Sequence, residues 1–227
     1  MFLWLDNTSF KTSATSKKKA AVSPLPKPSK RPSTMSDFII IEQSHYQKMP
    51  WKNGLGETLE IQCQEDINGL RFRISQASVI EDGVFSDFNG LHRTLVLLSG
   101  EGMTLEHKID ASLSISRLEK PLDIARFSGG ETTYASLKNG NIEDLNIMVR
   151  DKDTRADVTT HSAPCSLSLI TNNTVFCGFY GCEDTELEMK NHGKLQLKAH
   201  SMIIFNQNAS ATLHQGRGIL ISITERN

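Results

Sequence analysis

Beyond residue 37 the chain alternates between apolar and polar positions. Leu70, Phe72 and Ile74 fall on one side of a period-two pattern, and Arg71, Arg73 and Ser75 on the other. Such alternation marks a half-buried strand. Leu145, Ile147 and Val149 oppose Asn146, Met148 and Arg150 in the same way. The run from Arg93 to Leu98 is rich in β-formers and ends at Ser99-Gly100-Glu101-Gly102, which reads as a tight hairpin turn. No helical period lasts beyond a couple of turns, and the best candidate is His45–Lys48 after a capping Ser44. Short strands punctuated by Gly, Asn and Asp clusters predict an all-β sandwich or barrel.

A weak internal repeat refines that expectation. Pro121–Phe127, Tyr134–Leu137 and Asp144–Arg150 form one strand set, and Ser201–Phe205, Ala211–His214 and Gly218–Thr224 form another at similar spacing. Two copies of one strand-turn unit predict duplicated jelly rolls, each closing or covering its edges.

Chemistry concentrates in a few segments. Met49-Pro50-Trp51-Lys52-Asn53-Gly54-Leu55-Gly56-Glu57-Thr58-Leu59-Glu60-Ile61 places two donors, Lys52 and Asn53, beside an apolar Trp51 and ahead of Glu60. Its glycines let backbone approach a guest closely. The same run is also compatible with an ordinary turn into a strand. Phe72-Arg73-Ile74-Ser75 follows, then Asp82-Gly83-Val84-Phe85-Ser86-Asp87-Phe88-Asn89-Gly90-Leu91-His92-Arg93, then Asp144-Leu145-Asn146-Ile147-Met148.

In this order and at these distances the segments resemble the HutD/Ves family. Its members look like Trp-(Lys/Arg)-Asn-Gly-x-Gly-x-Thr-x-Glu-Ile, Trp-Arg-x-Ser, Asp-Gly-Pro-Phe-Ser-x-Phe-Pro-Gly-x-(Asp)-Arg and Asp-Leu-Asn-Val-Met. The likeness is strong from Phe38 to Arg150 and rests on pattern elsewhere. Phe72 replaces a tryptophan, Val84 and Asn89 replace two prolines, and His92 stands where an acid precedes Arg93. The resemblance implies a bicupin: two jelly-roll barrels within 37–227, the first carrying the motifs to about 150 and the second mainly about 151–227. It also implies a link to histidine utilisation, as a governor of pathway output rather than a catabolic step, or to a stress response in Ves-like members.

Charge is distributed unevenly. Residues 1–36 carry Lys11, Lys17, Lys18, Lys19, Lys27, Lys30 and Arg31 against Asp6, a net +6, which leaves the remainder at −7 for an overall −1. This Ser/Pro/Lys-rich arm has too little apolar material to offset the entropy of ordering and is expected to be disordered. It lacks the apolar run of a secretory signal. Met35 reads as the natural start of the folded body, so an alternative start codon accounts for the arm as well as targeting does. An acidic body argues against a general nucleic-acid surface, leaving the arm as the place where one would bind. Four cysteines (Cys63, Cys165, Cys177 and Cys182) show no metal spacing, and no apolar run reaches membrane-spanning length. A cytoplasmic protein with thiols is expected, and a homodimer is compatible with the sequence.

A metal-binding cupin needs a His-x-His pair with a carboxylate and a later histidine. His45, His92, His107, His161, His192, His200 and His214 supply no such pair, so neither metal nor cofactor is expected. His92 is the one histidine singled out. Asp82, Asp87 and Asp144 read as turn-forming residues.

The cations point to an anion. If the Arg73 face lines a barrel, its guanidinium must meet an acid or an anionic guest, because a buried lone charge is very costly. If that face is solvated, Arg73 and Arg93 are surface ion-pair residues. The leading expectation is a metal-independent cupin that binds a small carboxylate metabolite. Arg73 and Arg93 would grip the carboxylate, with Lys52 and Asn53 donating to a second polar group. Trp51 and Phe72 would wall the site, and Glu60 and Asn146 would orient the donors. The family likeness makes urocanate, N-formylglutamate and formate the candidate guests. The rival is a cofactor-independent isomerase or hydrolase using Glu60 and Lys52.

Overall fold

The alternation of the sequence is realised as strands over most of the chain, here in a computed structural model that describes residues 36–51, 56–169 and 173–226. All of the arm but Ser36 lies outside those residues, as do Lys52 and Asn53. The first half of the body carries β1 (Phe38–Ile41), β2 (Gln47–Pro50), β3 (Gly56–Asp66), β4 (Gly69–Val79), β5 (Gly83–Val84) and β6 (Leu91–Ser99). It continues through β7 (Met103–Ile109), β8 (Ser112–Leu118), β9 (Ile124–Ser128), β10 (Thr132–Leu137) and β11 (Ile142–Arg150). The second half carries β12 (Thr154–Ser162), β13 (Cys165–Leu169), β14 (Thr174–Gly181) and β15 (Thr185–Met189). It ends with β16 (Gly193–Leu197), β17 (Met202–Phe205), β18 (Ala209–Gln215) and β19 (Arg217–Glu225).

These strands build two barrels of two sheets each. The first pairs β2-β3-β4-β11-β6-β9 with β5-β10-β7-β8; the second pairs β1-β17-β14-β19-β12 with β13-β18-β15-β16. The order β4-β11-β6-β9 is repeated as β12-β19-β14-β17, and β5-β10-β7-β8 as β13-β18-β15-β16. The duplication therefore extends over eight strands, more than the three visible in the sequence. One strand breaks the symmetry: β1 pairs with β17, so the start of the body completes the sheet of the second barrel. The fold is all-β, a bicupin.

Three apolar clusters fill it. One lies between the barrels, where Phe72, Ile74, Leu145 and Ile147 of the first meet Phe176, Tyr180, Ile219 and Ile221 of the second. Another fills the second barrel with Leu167, Phe179, Leu187, Ile203 and Leu213. The third lines the first barrel with Val79, Leu95, Leu97, Leu105, Phe127 and Ile142. No helix among the described residues is long and apolar enough to cross a membrane.

Two local expectations are corrected. The helical turn is a 3₁₀ turn at Gln43–His45 with no side-chain cap, and Gln47–Pro50 is strand. Pairing of Gln47 with Glu60 and of Pro50 with Glu57 recruits that segment into the sheet. Nor is Ser99–Gly102 a hairpin, because β6 and β7 belong to different sheets of the first barrel. Gly100 and Gly102 turn the chain across at φ 98° and 118°, where a Cβ would sit 2.6 Å from the Asn141 carbonyl oxygen and 2.5 Å from that of Leu118. Only glycine fits both the dihedral and the space.

Candidate functional site

Strand register decides which side chains can meet. Arg73 of β4 pairs with Met148 of β11, and Met148 pairs with Arg93 of β6, which pairs with Phe127 of β9. The adjacent row runs Glu60, Ser75, Asn146, Leu95 and Ala125, and the next runs Thr58, Ala77, Asp144 and Leu97. Leu95, Leu97, Ala125 and Phe127 belong to the first barrel's core, so all three rows face its interior. Two strand spacings separate the Arg73 and Arg93 backbones, roughly 10 Å, which two long side chains can span. Bulges fall beside two of the polar residues: Ile61 of β3 is left unpaired next to Glu60, and Leu98 of β6 is left unpaired opposite Glu143 and Asp144. Such bulges re-aim side chains, and they recur near binding sites.

The two arginines have different surroundings. Arg73 forms an ion pair with Glu60, its Nε 2.8 Å from Oε2 but out of hydrogen-bonding alignment, and the two side chains are 12% and 18% exposed. Its Nη2 also donates to Met49 Sδ at 2.9 Å. Arg93 is only 4% exposed and, among the described residues, meets no acid at ion-pair distance. Three rings surround its guanidinium carbon, Phe127 at 5.0 Å, Phe85 at 5.1 Å and Phe88 at 5.4 Å. Ring faces attract a cation but leave its N–H groups unpaired, and Arg93 Nε is buried with no hydrogen-bond partner among the described residues. Burial pushes its pKa down to about 10, against the pull of Asp144.

Asp144 is the counterpart. It is 2% exposed, and its Oδ1 is buried without a partner among the described residues. Burial pushes its carboxyl up to about 7; Arg93 draws it back, and Glu143 adds to the rise. Asn146, next on the same face, has a buried Oδ1 that also lacks a partner. Its amide can present oxygen or nitrogen by a half-turn. His107 completes the polar lining, with Nδ1 3.0 Å from Thr133 Oγ1 and Nε2 3.1 Å from Ser116 Oγ. Burial lowers its pKa, Glu131 opposes that, and Arg93 adds to it.

The remaining expected residues divide. Trp51 packs against the first barrel's core, and its indole N–H donates to Thr58 Oγ1 at 2.9 Å, at the rim beside Glu60. Phe72 does not wall the site. One residue from Arg73, it points to the opposite face, packs on Phe176 at 5.5 Å between ring centres, and borders an outer cleft of about 330 Å³. The period of two that puts Arg73 inside necessarily puts Phe72 outside. His92 is displaced from the Arg93 row by the same rule. Asp144 is corrected from a turn residue to a buried strand residue, because it continues the inward face of Asn146 and Met148; Asp87 does make the expected turn contact, accepting from the Asn89 N–H at 2.9 Å. No cluster of three or more His, Cys, Asp or Glu able to hold a metal occurs among the described residues.

The sequence pattern assigns no binding role to His107, Asp144 or the three phenylalanines. Phe85 and Phe88 stand in a recurring segment just ahead of Arg93, and His107 continues the inward pattern of Met103 and Leu105. Those were the available signals.

The family model for HutD matches residues 43–221. The chain belongs to the HutD family. Every site residue described above falls inside the matched span. An uncharacterized 21.2 kDa protein in the hutC 3′ region of Pseudomonas putida is 36% identical over 124 residues, 54% of this chain and 63% of that one. Protein Ves of Escherichia fergusonii is 36% identical over 123 residues, 52% of this chain and 62% of its own. The alignments thus span less than two thirds of these relatives. HutD from Pseudomonas fluorescens SBW25, solved in a formate condition, covers 84% of this chain and 100% of its own at TM-score 0.69 and 25% identity. A conserved protein of unknown function from Pseudomonas aeruginosa PAO1 covers 83% and 100% at TM-score 0.71 and 26% identity. Bacillus subtilis oxalate decarboxylase, at 6% identity and TM-score 0.57, shares the fold alone.

Proposed function

We propose that this HutD-family protein binds a small carboxylate metabolite inside its first barrel. The observation that carries the reading is Arg93, a deeply buried guanidinium with an unpaired Nε among three phenylalanine rings. An arginine offers planar recognition of a carboxylate, and a desolvated donor edge awaiting an acceptor favours an anionic guest. Asn146 supplies a second polar contact, Glu60 holds Arg73 in place, and Trp51 closes the rim. Lys52 and Asn53 remain candidate donors from the adjoining segment. The second barrel, filled with aliphatic and aromatic side chains, serves as support.

Urocanate, N-formylglutamate and formate are the candidate guests, and control of histidine utilisation in the cytoplasm is the proposed role. The P. putida relative's place in the hutC 3′ region and the formate condition of the P. fluorescens HutD structure support this reading. The four free thiols fit a reducing compartment. Calorimetric titration of the wild type and Arg93→Met with these three compounds tests it. Charge-assisted hydrogen bonds contribute about 1.5–3 kcal/mol each, so the variant should bind roughly 10- to 150-fold more weakly. Equal binding by Arg93→Met would overturn the reading.

A further inference from the structure

The first barrel contains one charge pair that the fold closes and two charges that it leaves apart. Glu60 and Arg73 meet at 2.8 Å. Arg93 and Asp144 feel one another's fields, yet among the described residues neither forms an ion pair or hydrogen bond, and each carries a buried unpartnered atom. The second barrel, built on the same topology, buries no Asp, Glu, Lys or Arg among the described residues; its buried polar side chains are hydroxyls such as Thr185. Unpaired charge is therefore particular to the first barrel rather than a demand of the fold.

Charge balance then constrains the guest. A carboxylate arriving at Arg93 adds a second negative charge near Asp144, while the only uncommitted cation among the described residues of this lining is Arg93 itself. Arg73 is engaged by Glu60; His107 is held between Thr133 and Ser116, with Glu131 at 3.8 Å; Glu143, behind Asp144 on β11, adds negative charge. Excess charge in a desolvated site is costly, and two carboxylates sharing such a site retain a proton between them. Resting on the carboxylate reading above, we infer that the guest binds together with one proton taken from water and held between its carboxylate and Asp144. The site thereby selects anions of weak acids over similarly shaped anions of strong acids. No bond of the guest is broken; one solvent proton enters with each anion. Asp144 is placed for this: it is 2% exposed, its Oδ1 has no partner among the described residues, and burial favours its protonated form.

Formate and nitrate, both small planar monoanions, separate the possibilities because nitrate has almost no affinity for a proton. Met148 lies in register between Arg73 and Arg93, so its ¹³C-methyl resonance reports occupancy. Titrations of the full chain are followed at that signal between pH 7.5 and 9, where formate stays fully ionised. Formate affinity should fall about tenfold per pH unit, and nitrate should bind at least about tenfold more weakly than formate at pH 7.5. In Asp144→Asn, formate affinity should become independent of pH, and the preference over nitrate should collapse. Wild-type formate affinity that is flat with pH, or nitrate binding equal to formate, would overturn the proton-sharing inference. The carboxylate reading would still stand if Arg93→Met abolished that binding. Absence of binding by formate, urocanate and N-formylglutamate alike would overturn both.

Discussion

Asp144 should make this protein less stable as pH rises, and Asp144→Asn should remove that dependence. In the unfolded chain the carboxyl titrates at 3.8, whereas in the folded barrel it titrates at about 7. Below 3.8 both states hold the proton and the group contributes no difference. Between these values the unfolded chain releases its proton while the fold retains it, so stability falls as pH rises and levels off above about 7. A gap of about three pH units corresponds to about 4 kcal/mol at most. Asparagine keeps the shape and carries no charge. The variant should therefore match the wild type near pH 4 and exceed it by on the order of 3–4 kcal/mol at pH 8. Urea unfolding followed by circular dichroism at both pH values gives the comparison directly. Contributions from the histidines common to both proteins cancel in the difference. A gap between the two proteins that stays constant with pH within about 0.5 kcal/mol would refute the account of Asp144 as an uncompensated buried acid.

Three further outcomes follow from the same geometry. Arg73→Met should cost about 1–3 kcal/mol, because it strands a mostly buried Glu60, and adding Glu60→Gln should recover much of the loss; additive effects in that double-mutant cycle would show the pair to be uncoupled. Gly102→Ala should destabilise by on the order of 2–4 kcal/mol, since φ 118° and the Leu118 carbonyl both exclude a Cβ, and a melting temperature within a degree of wild type would contradict that. Phe85→Leu should weaken carboxylate binding by several-fold through loss of one ring around Arg93, whereas Phe72→Leu, on the opposite face, should alter stability with little effect on affinity, both read by calorimetry.

Much of the fold was legible because a period of two reports strand faces directly. Leu145, Ile147 and Val149 against Asn146 and Met148 gave the orientation of β11 as it is found. Alternation alone could not say which face was the barrel and which was the wall between barrels, since both are buried here. Phe72 was misplaced for that reason: an aromatic beside an arginine looks like a neighbour of the same guest, yet adjacent strand residues point apart. Asp144 was hidden by its company. Beside Glu143 and after Gly140-Asn141 it has the composition of a turn, and only the β11–β4 and β11–β6 pairings reveal it as a central strand residue. The Ser99–Gly102 segment failed differently, because a glycine pair marks a sharp change of direction without saying whether the next strand returns to the same sheet.

The clip of Phe38–Ile41 onto Met202–Phe205 makes the two halves inseparable in practice. A fragment ending near residue 150 would carry β1 away from its partner strand and strip the cover from Phe72, Ile74, Leu145 and Ile147. Such a fragment would tend to aggregate rather than survive as a free-standing receptor. Duplication has given one barrel the task of ballast, and its greasy interior steadies a sibling that holds a lone cation and an ill-placed acid ready for use.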